Sequence, residues 1–223
     1  MLLQLALDKP QHFAVLSMVQ DLVDIVEVGT PVLKRFGLSA ISTVRELTPE
    51  PPILVDTKTV DGGGLEADMV FGAGATFMTV LSSASRAPHA AVGEHATEHH
   101  GWVVVDTITE SGKPDLLPPG AAFPASFGYV AVHSPTDVRL AGDTSTGHVA
   151  AVARMHALGH RVSLAGGIGP KSLDAVIAAE PEVLVIGSAI TEADNPREVA
   201  EWIHDRLKNP GHGWPWDANW MSS

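Results

Sequence analysis

The sequence predicts an α/β protein with the (β/α)8 fold, a closed barrel of eight parallel strands. Three observations predict it. First, eight short apolar runs rich in Val, Ile and Leu alternate along the chain with stretches of helical periodicity. Strands alternating with helices form parallel βαβ units, and eight such units close into a TIM barrel. Second, the length of 223 residues and the 45% hydrophobic content suit one barrel with a sizeable core. Third, no linker interrupts the alternation, so a single barrel domain is expected over 1–208, with a tail at 209–223. A doubly wound open sheet is the alternative assembly of the same units.

Leu2–Asp8 alternates. Leu3, Leu5 and Leu7 are expected to face outer helices, and Gln4, Ala6 and Asp8 the barrel interior. After Pro10, the spacing of Phe13, Leu16, Val19 and Val23 predicts a helix over 12–23. In the second strand, 24–29, Ile25, Glu27 and Gly29 share a face. Glu27 is a carboxylate within an apolar run, unfavourable to bury unpaired and so a site candidate. Residues 32–47 read as the second helix, ended by Pro49, Pro51 and Pro52.

The third strand, Ile53–Asp56, ends in a carboxylate, with Lys58 two residues on and Asp61 three beyond that. Side chains two apart on a strand share a face, which aims Asp56 and Lys58 together. The Gly62–Gly64 run lets the chain turn behind them. Such a charged strand end implies an ion pair, a metal or a ligand.

A third helix is expected over 65–74, a fourth strand over 76–81 and a histidine-rich helix over 86–100. In the fifth strand, 102–108, Val104 and Asp106 share a face. Residues 109–126 carry four prolines and predict a short or broken helix. The sixth strand, 129–134, puts Tyr129, Ala131 and His133 on one face. A helix over 148–158 follows, with Thr146 a candidate cap. The seventh strand is 162–167, and Pro170 opens the next helix, which runs to about Ala179. The eighth strand is 183–190, and Asn195 caps a last helix from Pro196 to Lys208. The tail holds Trp214, Trp216 and Trp220, which predicts packing on the barrel or on a partner subunit, with a substrate-covering lid as the alternative.

A net charge of −12 argues against nucleic acid and anionic membranes as partners. With no cysteine there is no disulfide, zinc thiolate or thiol nucleophile. No signal peptide or apolar run of spanning length is present, so a soluble cytoplasmic protein is expected. His95-x-x-Glu98-His99 fits a zinc-peptidase pattern, but barrel helices lie outside the strand-end pocket, so a solvated helix face is the preferred reading.

Barrel sites gather at the C-terminal strand ends, where Asp8, Glu27, Asp56, Lys58, Asp106 and His133 all fall. Carboxylates that close disfavour each other's ionisation, so a cation is expected among them. Glu27 and Asp56 are hard oxygen ligands of the kind magnesium takes. Lys58 can stabilise an oxyanion, His133 can move protons near neutral pH, and Asp8 can accept bonds from sugar hydroxyls. Asp106 is a candidate for a proton relay or for ordering water. Gly166, Gly167, Gly187 and Ser188, after the last two strands, are candidates for holding a phosphate.

Asp56-x-Lys58-x-x-Asp61 resembles the D-x-K-x-x-D motif of the orotidine-monophosphate decarboxylase suprafamily. The resemblance is closer to its metal-dependent branch, the 3-hexulose-6-phosphate synthases and 3-keto-L-gulonate-6-phosphate decarboxylases. Leu5-Ala6-Leu7-Asp8, Val26-Glu27-Val28-Gly29-Thr30-Pro31, Val130-Ala131-Val132-His133, Ala165-Gly166-Gly167-Ile168 and Ile186-Gly187-Ser188-Ala189-Ile190-Thr191 follow in family order over residues 2–208.

The resemblance implies that Glu27 and Asp56 help hold Mg2+, and that His133 is the family's histidine. It also implies that Asp61 completes a neighbouring subunit's site, which makes the protein a homodimer with shared active sites. The implied substrate is a sugar phosphate, and the implied reaction a carbon–carbon lyase step through an enediolate. Gly29-Thr30-Pro31, Thr79-Val80-Leu81 and Val104-Val105-Asp106 look more like the synthase, which condenses formaldehyde with D-ribulose 5-phosphate. After His133, Ser134-Pro135-Thr136-Asp137 lacks both the Thr-Gly pair usual in the synthase and the arginines usual in the decarboxylase, and Arg139 is the nearest later arginine. Decarboxylation of a 3-keto sugar-acid 6-phosphate and a divergent paralogue's reaction are therefore the alternatives. A non-enzymatic sugar-phosphate binder is a further alternative, disfavoured because it needs no metal or acid–base pair.

Overall fold

A computed structural model describes residues 1–108, 126–135, 147–169 and 171–208. The expectations for 109–125, Thr136, Asp137, Arg139, Thr146, Pro170 and the tail tryptophans Trp214, Trp216 and Trp220 lie outside the described residues.

Eight parallel strands close into a barrel in chain order. They are β1 Leu2–Leu7, β2 Ile25–Val28, β3 Ile53–Thr59, β4 Phe77–Leu81, β5 Trp102–Asp106, β6 Phe127–His133, β7 Val162–Ala165 and β8 Val183–Ile186. Leu2 to Leu5 of β1 pair with Val183 to Ile186 of β8, which seals the sheet and leaves no edge.

Strand alternation builds two apolar layers. Leu3, Leu5 and Leu7 join the outer core between sheet and helices. Ala6, Ile25, Leu54, Val104 and Ala131 point inward. Phe77 and Tyr129 are both buried there, with ring centroids 5.6 Å apart. The interior is thus packed with side chains, as in other barrels of eight strands.

The helices are α1 His12–Val19, α2 Thr30–Phe36, α3 Ser39–Leu47, α4 Gly63–Gly72, α5 Arg86–Glu98, α6 Gly147–Ala157, α7 Leu173–Ile177, α8 Ser188–Thr191 and α9 Pro196–Leu207. Asn195 caps α9 as expected, its side chain accepting the Glu198 N–H, and Pro196 takes the first turn. No described helix is long and apolar enough to cross a membrane.

Three local expectations need correction. The helix expected over 32–47 is two, because Gly37, at φ 61°, turns the chain between α2 and α3. The eighth strand ends at Ile186; Gly187 leaves extended geometry, and Ser188–Thr191 coils into α8. The third strand runs on to Thr59, but Lys58 is not regular strand. Its φ is +51°, and the β3–β4 register slips between Val55 and Thr59.

Candidate active site

At the mouth, β3 supplies Asp56 and Lys58. The Lys58 ammonium lies 3.0 and 2.8 Å from the two Asp56 oxygens, and 3.0 Å from Asp106 Oδ2 at the end of β5. The left-handed backbone at Lys58 is held from β4. Lys58 N–H donates to Thr79 Oγ1 at 2.9 Å, and that hydroxyl donates to Asp56 Oδ1 at 2.9 Å. Thr30, opening α2, places its hydroxyl 2.8 Å from Asp56 Oδ2. An ammonium and two hydroxyls therefore surround the Asp56 carboxylate.

Asp106 continues the chain of contacts. Its Oδ1 accepts the Ile108 N–H at 2.9 Å, and Oδ2 lies 3.2 Å from His133 Nδ1 at the end of β6. Burial would raise the Asp106 pKa, but the His133 contact and the Lys58 charge reverse this and bring it down to about 2. Burial likewise works against the Lys58 ammonium, and Asp56 and then Asp106 outweigh it, holding its pKa above the ordinary lysine value. The Asp106 side chain is 2% exposed and that of His133 22%, so the imidazole is the group open to a substrate.

Glu27 sits inside the barrel on β2, half-buried. Its Oε2 accepts from Gln4 Nε2 at 2.6 Å, and Gln4 Oε1 accepts from the Tyr129 hydroxyl at 3.1 Å. Burial, then the Asp56 charge, pushes the Glu27 pKa up to about 8. Asp8 at the end of β1 opens to solvent. Partial burial and then the Asp56 charge raise its pKa, against the opposing influence of His12 and Lys58.

These raised values bear on whether the residues suit a magnesium ion. Glu27, Asp56 and Asp8 repel one another, and no described donor reaches Glu27 Oε1. A hard cation beside Glu27 would relieve that repulsion, and the oxygen donors suit Mg2+. Asp56 would have to yield one of its present donors. Among the described residues no group of three His, Asp or Glu side chains converges on one metal position.

The remaining candidates separate into two places. Gly166 and Gly187 follow β7 and β8 at the same mouth. A Cβ built on Gly187 would lie 3.8 Å from Asp8 Oδ2, while one on Gly166 would meet Ser134 O at 2.7 Å. Gly167 follows Gly166, and Ser188 opens α8. Asp61 is elsewhere. It is exposed and lines a surface groove with Gly64, Leu65, Asp68, Pro88 and His95, and no hydrogen bond joins it to the Lys58 cluster among the described residues. On that outer face His95 Nδ1 and His99 Nε2 lie 2.6 and 3.3 Å from Asp68 Oδ1, which leaves the His95–His99 pattern on a helix surface as expected.

Sequence reading placed Gln4 on the interior face but did not name it, Thr30 or Thr79 as a site residue. Neutral side chains give no charge signal, but alternation does offer one: Thr79 lies two residues from the inward Phe77, and Gln4 two from the inward Ala6.

A closed barrel whose strand ends gather an ammonium, an imidazole and several carboxylates at one mouth has the layout of a (β/α)8 enzyme. The chain belongs to the orotidine 5'-phosphate decarboxylase / HUMPS family, whose model matches residues 1–203. A 3-hexulose-6-phosphate synthase of Mycobacterium gastri is 36% identical over 210 residues, covering 90% of this chain and 97% of that protein. The crystal structure of 3-hexulose-6-phosphate synthase from Salmonella typhimurium is similar with a TM-score of 0.82 at 34% identity, over 93% of this chain and 98% of that one. The crystal structure of 3-keto-L-gulonate-6-phosphate decarboxylase from Vibrio cholerae gives 0.75 at 27% identity, over 93% of this chain and 99% of that one.

Proposed function

We propose that the protein is a cytoplasmic aldehyde-lyase of the 3-hexulose-6-phosphate synthase type, joining formaldehyde to D-ribulose 5-phosphate. The observation that carries this reading is the continuous chain Asp56–Lys58–Asp106–His133 across the mouth. The synthase relatives support the choice of substrate.

With Asp106 against Nδ1, His133 is left its Nε2 to face the substrate. That nitrogen takes a proton from carbon 1 of the ketose, beside the carbonyl, and the electrons pass into an enediolate. Lys58 donates a charge-assisted hydrogen bond to the developing oxyanion. Glu27 and Asp56 would hold Mg2+, which when bound would supply positive charge that stabilises an enediolate. Carbon 1 then bonds to the formaldehyde carbon. The formaldehyde oxygen takes a proton from the His133 imidazolium, giving the 3-hexulose 6-phosphate and restoring the base. Asp8 accepts bonds from sugar hydroxyls, and the Gly166-Gly167 and Gly187-Ser188 turns meet the phosphate. Asp61 of a second subunit is the rival base in a homodimer with shared sites.

The test is a pair of rates on purified protein, formaldehyde condensation with ribulose 5-phosphate against carbon dioxide release from 3-keto-L-gulonate 6-phosphate. Condensation should dominate. Faster release of carbon dioxide would move the protein to the decarboxylase reading.

A further inference from the structure

His12 opens α1 immediately beyond the end of β1, is 2% exposed, and plays no part in the reaction described above. Its Nδ1 lies 3.1 Å from the Asp8 nitrogen and accepts that backbone N–H. Its Nε2 has no hydrogen-bond partner among the described residues. The contact with Asp8 is therefore the one hydrogen bond the ring makes there, and packing alone would be served as well by an apolar side chain.

The Asp8 carboxylate is open to solvent on one side and lies against Gly29 on the other, where a Cβ would come within 2.2 Å of Oδ1; a Cβ on Gly187 would make only an ordinary contact, 3.8 Å from Oδ2. Gly29 follows β2 and Gly187 follows β8, the two strands that flank β1. The carboxylate thus rests against Gly29, where a side chain would displace it, and the backbone at residue 8 decides how it leaves that contact for the mouth. That backbone has left the strand ladder at Leu7, and the imidazole is what ties down its N–H.

We propose that His12 is a positioning residue for Asp8, its imidazole fixing the turn that presents the Asp8 carboxylate to a sugar hydroxyl. The proposal rests on the reading of Asp8 as a substrate ligand. Only an imidazole unprotonated at Nδ1 can accept the N–H. Burial favours that state, Asp8 opposes it, Lys9 favours it and Glu192 opposes it; Lys9 and Glu192 are themselves paired beside the turn.

The test compares His12→Asn, whose Oδ1 falls where Nδ1 was, with His12→Leu, which fills the space without an acceptor. Amide exchange at Asp8 and calorimetric binding of ribulose 5-phosphate are measured on the full chain. His12→Leu should lose protection at Asp8 and bind about 3- to 10-fold more weakly, the span of one net hydrogen bond. KM should rise by a similar factor with kcat little changed. His12→Asn should restore both protection and affinity. Unchanged Asp8 protection in His12→Leu, or equal losses in the two variants, overturns the proposal. Should His12→Leu not fold, His12→Gln takes its place, since its oxygen lies one bond too far out. If wild-type protein does not bind ribulose 5-phosphate, or Asp8→Asn binds as well as wild type, the functional reading fails, and exchange at Asp8 still decides the role of His12.

Discussion

The Lys58 ammonium bridges two strands, lying 2.8 Å from Asp56 Oδ2 on β3 and 3.0 Å from Asp106 Oδ2 on β5. It pairs with both carboxylates, and in the proposed mechanism it is the group that donates to the developing oxyanion. Lys58→Met keeps the stem and removes the charge. Condensation should fall by at least about 100-fold, the usual scale for losing a preorganised electrostatic contact. The variant should also melt earlier at pH 7, because Asp56 and Asp106 lose their shared partner. Steady-state kinetics with melts at pH 7 would settle it; a fully active Lys58→Met would remove the ammonium from the mechanism.

Glu27 makes a pH prediction with a definite sign. Its pKa rises from 4.5 to about 8 on folding, so between these values the native state holds a proton that the unfolded chain has lost. Stability therefore falls as pH climbs through this window, and Glu27→Gln should flatten the dependence. Added Mg2+ should flatten it too in the wild type, by favouring the ionised carboxylate, and should have no such effect in Glu27→Gln. Melting curves from pH 5 to pH 8.5, with chelator and with magnesium, measure this without any turnover. Identical slopes under the two conditions in wild-type protein would argue against a metal at Glu27.

The barrel was legible because its strands are apolar on both faces and change abruptly to charge at their C-terminal ends, as at Asp56 and Asp106. Where the apolar run does not stop with the element, sequence reading failed. Phe36-Gly37-Leu38 carries the apolar pattern across a break between helices, and Ile186 to Ile190 reads as one strand although α8 begins at Ser188. Periodicity cannot separate a short buried strand from a short buried helix. Spacing put Lys58 beside Asp56 correctly but through an assumed extended backbone, whereas the actual φ is positive. Thr30, Thr79 and His12 escaped notice as site-building residues because what they contribute is hydrogen bonding across the fold, which leaves no charge signal; alternation tells only that Thr79 faces inward, not what it holds.

Gly166 should tolerate no side chain. Its φ is +108°, and a Cβ there would sit 2.7 Å from Ser134 O and 3.0 Å from Ser134 N. Both contacts are with the backbone of the segment that follows His133, so relief must come from moving that segment or the β7 turn. Gly166→Ala should destabilise the protein by about 1–3 kcal/mol through backbone strain and raise KM for the sugar phosphate. Denaturant unfolding and kinetics on the same preparation test this. Wild-type values for both would mean that the turn after β7 is free to relax.

The last prediction concerns Asp61, which stands exposed and lines the outer groove of α4 and α5 with Leu65, itself 75% exposed, Pro88 and Ala91. An open apolar lining beside a charged residue suits a contact with a second copy of the chain. In the proposed homodimer Asp61 serves the partner's site while Lys58 serves its own. Asp61→Ala and Lys58→Ala homodimers should each be inactive. A hybrid of the two contains one site that lacks both residues and one that has both. Mixing equal amounts and allowing subunits to exchange gives about half hybrids, each with one intact site, so about a quarter of wild-type activity should return. If exchange is verified by differently tagged chains and activity stays at the level of the parents, Asp61 acts within its own subunit or not at all.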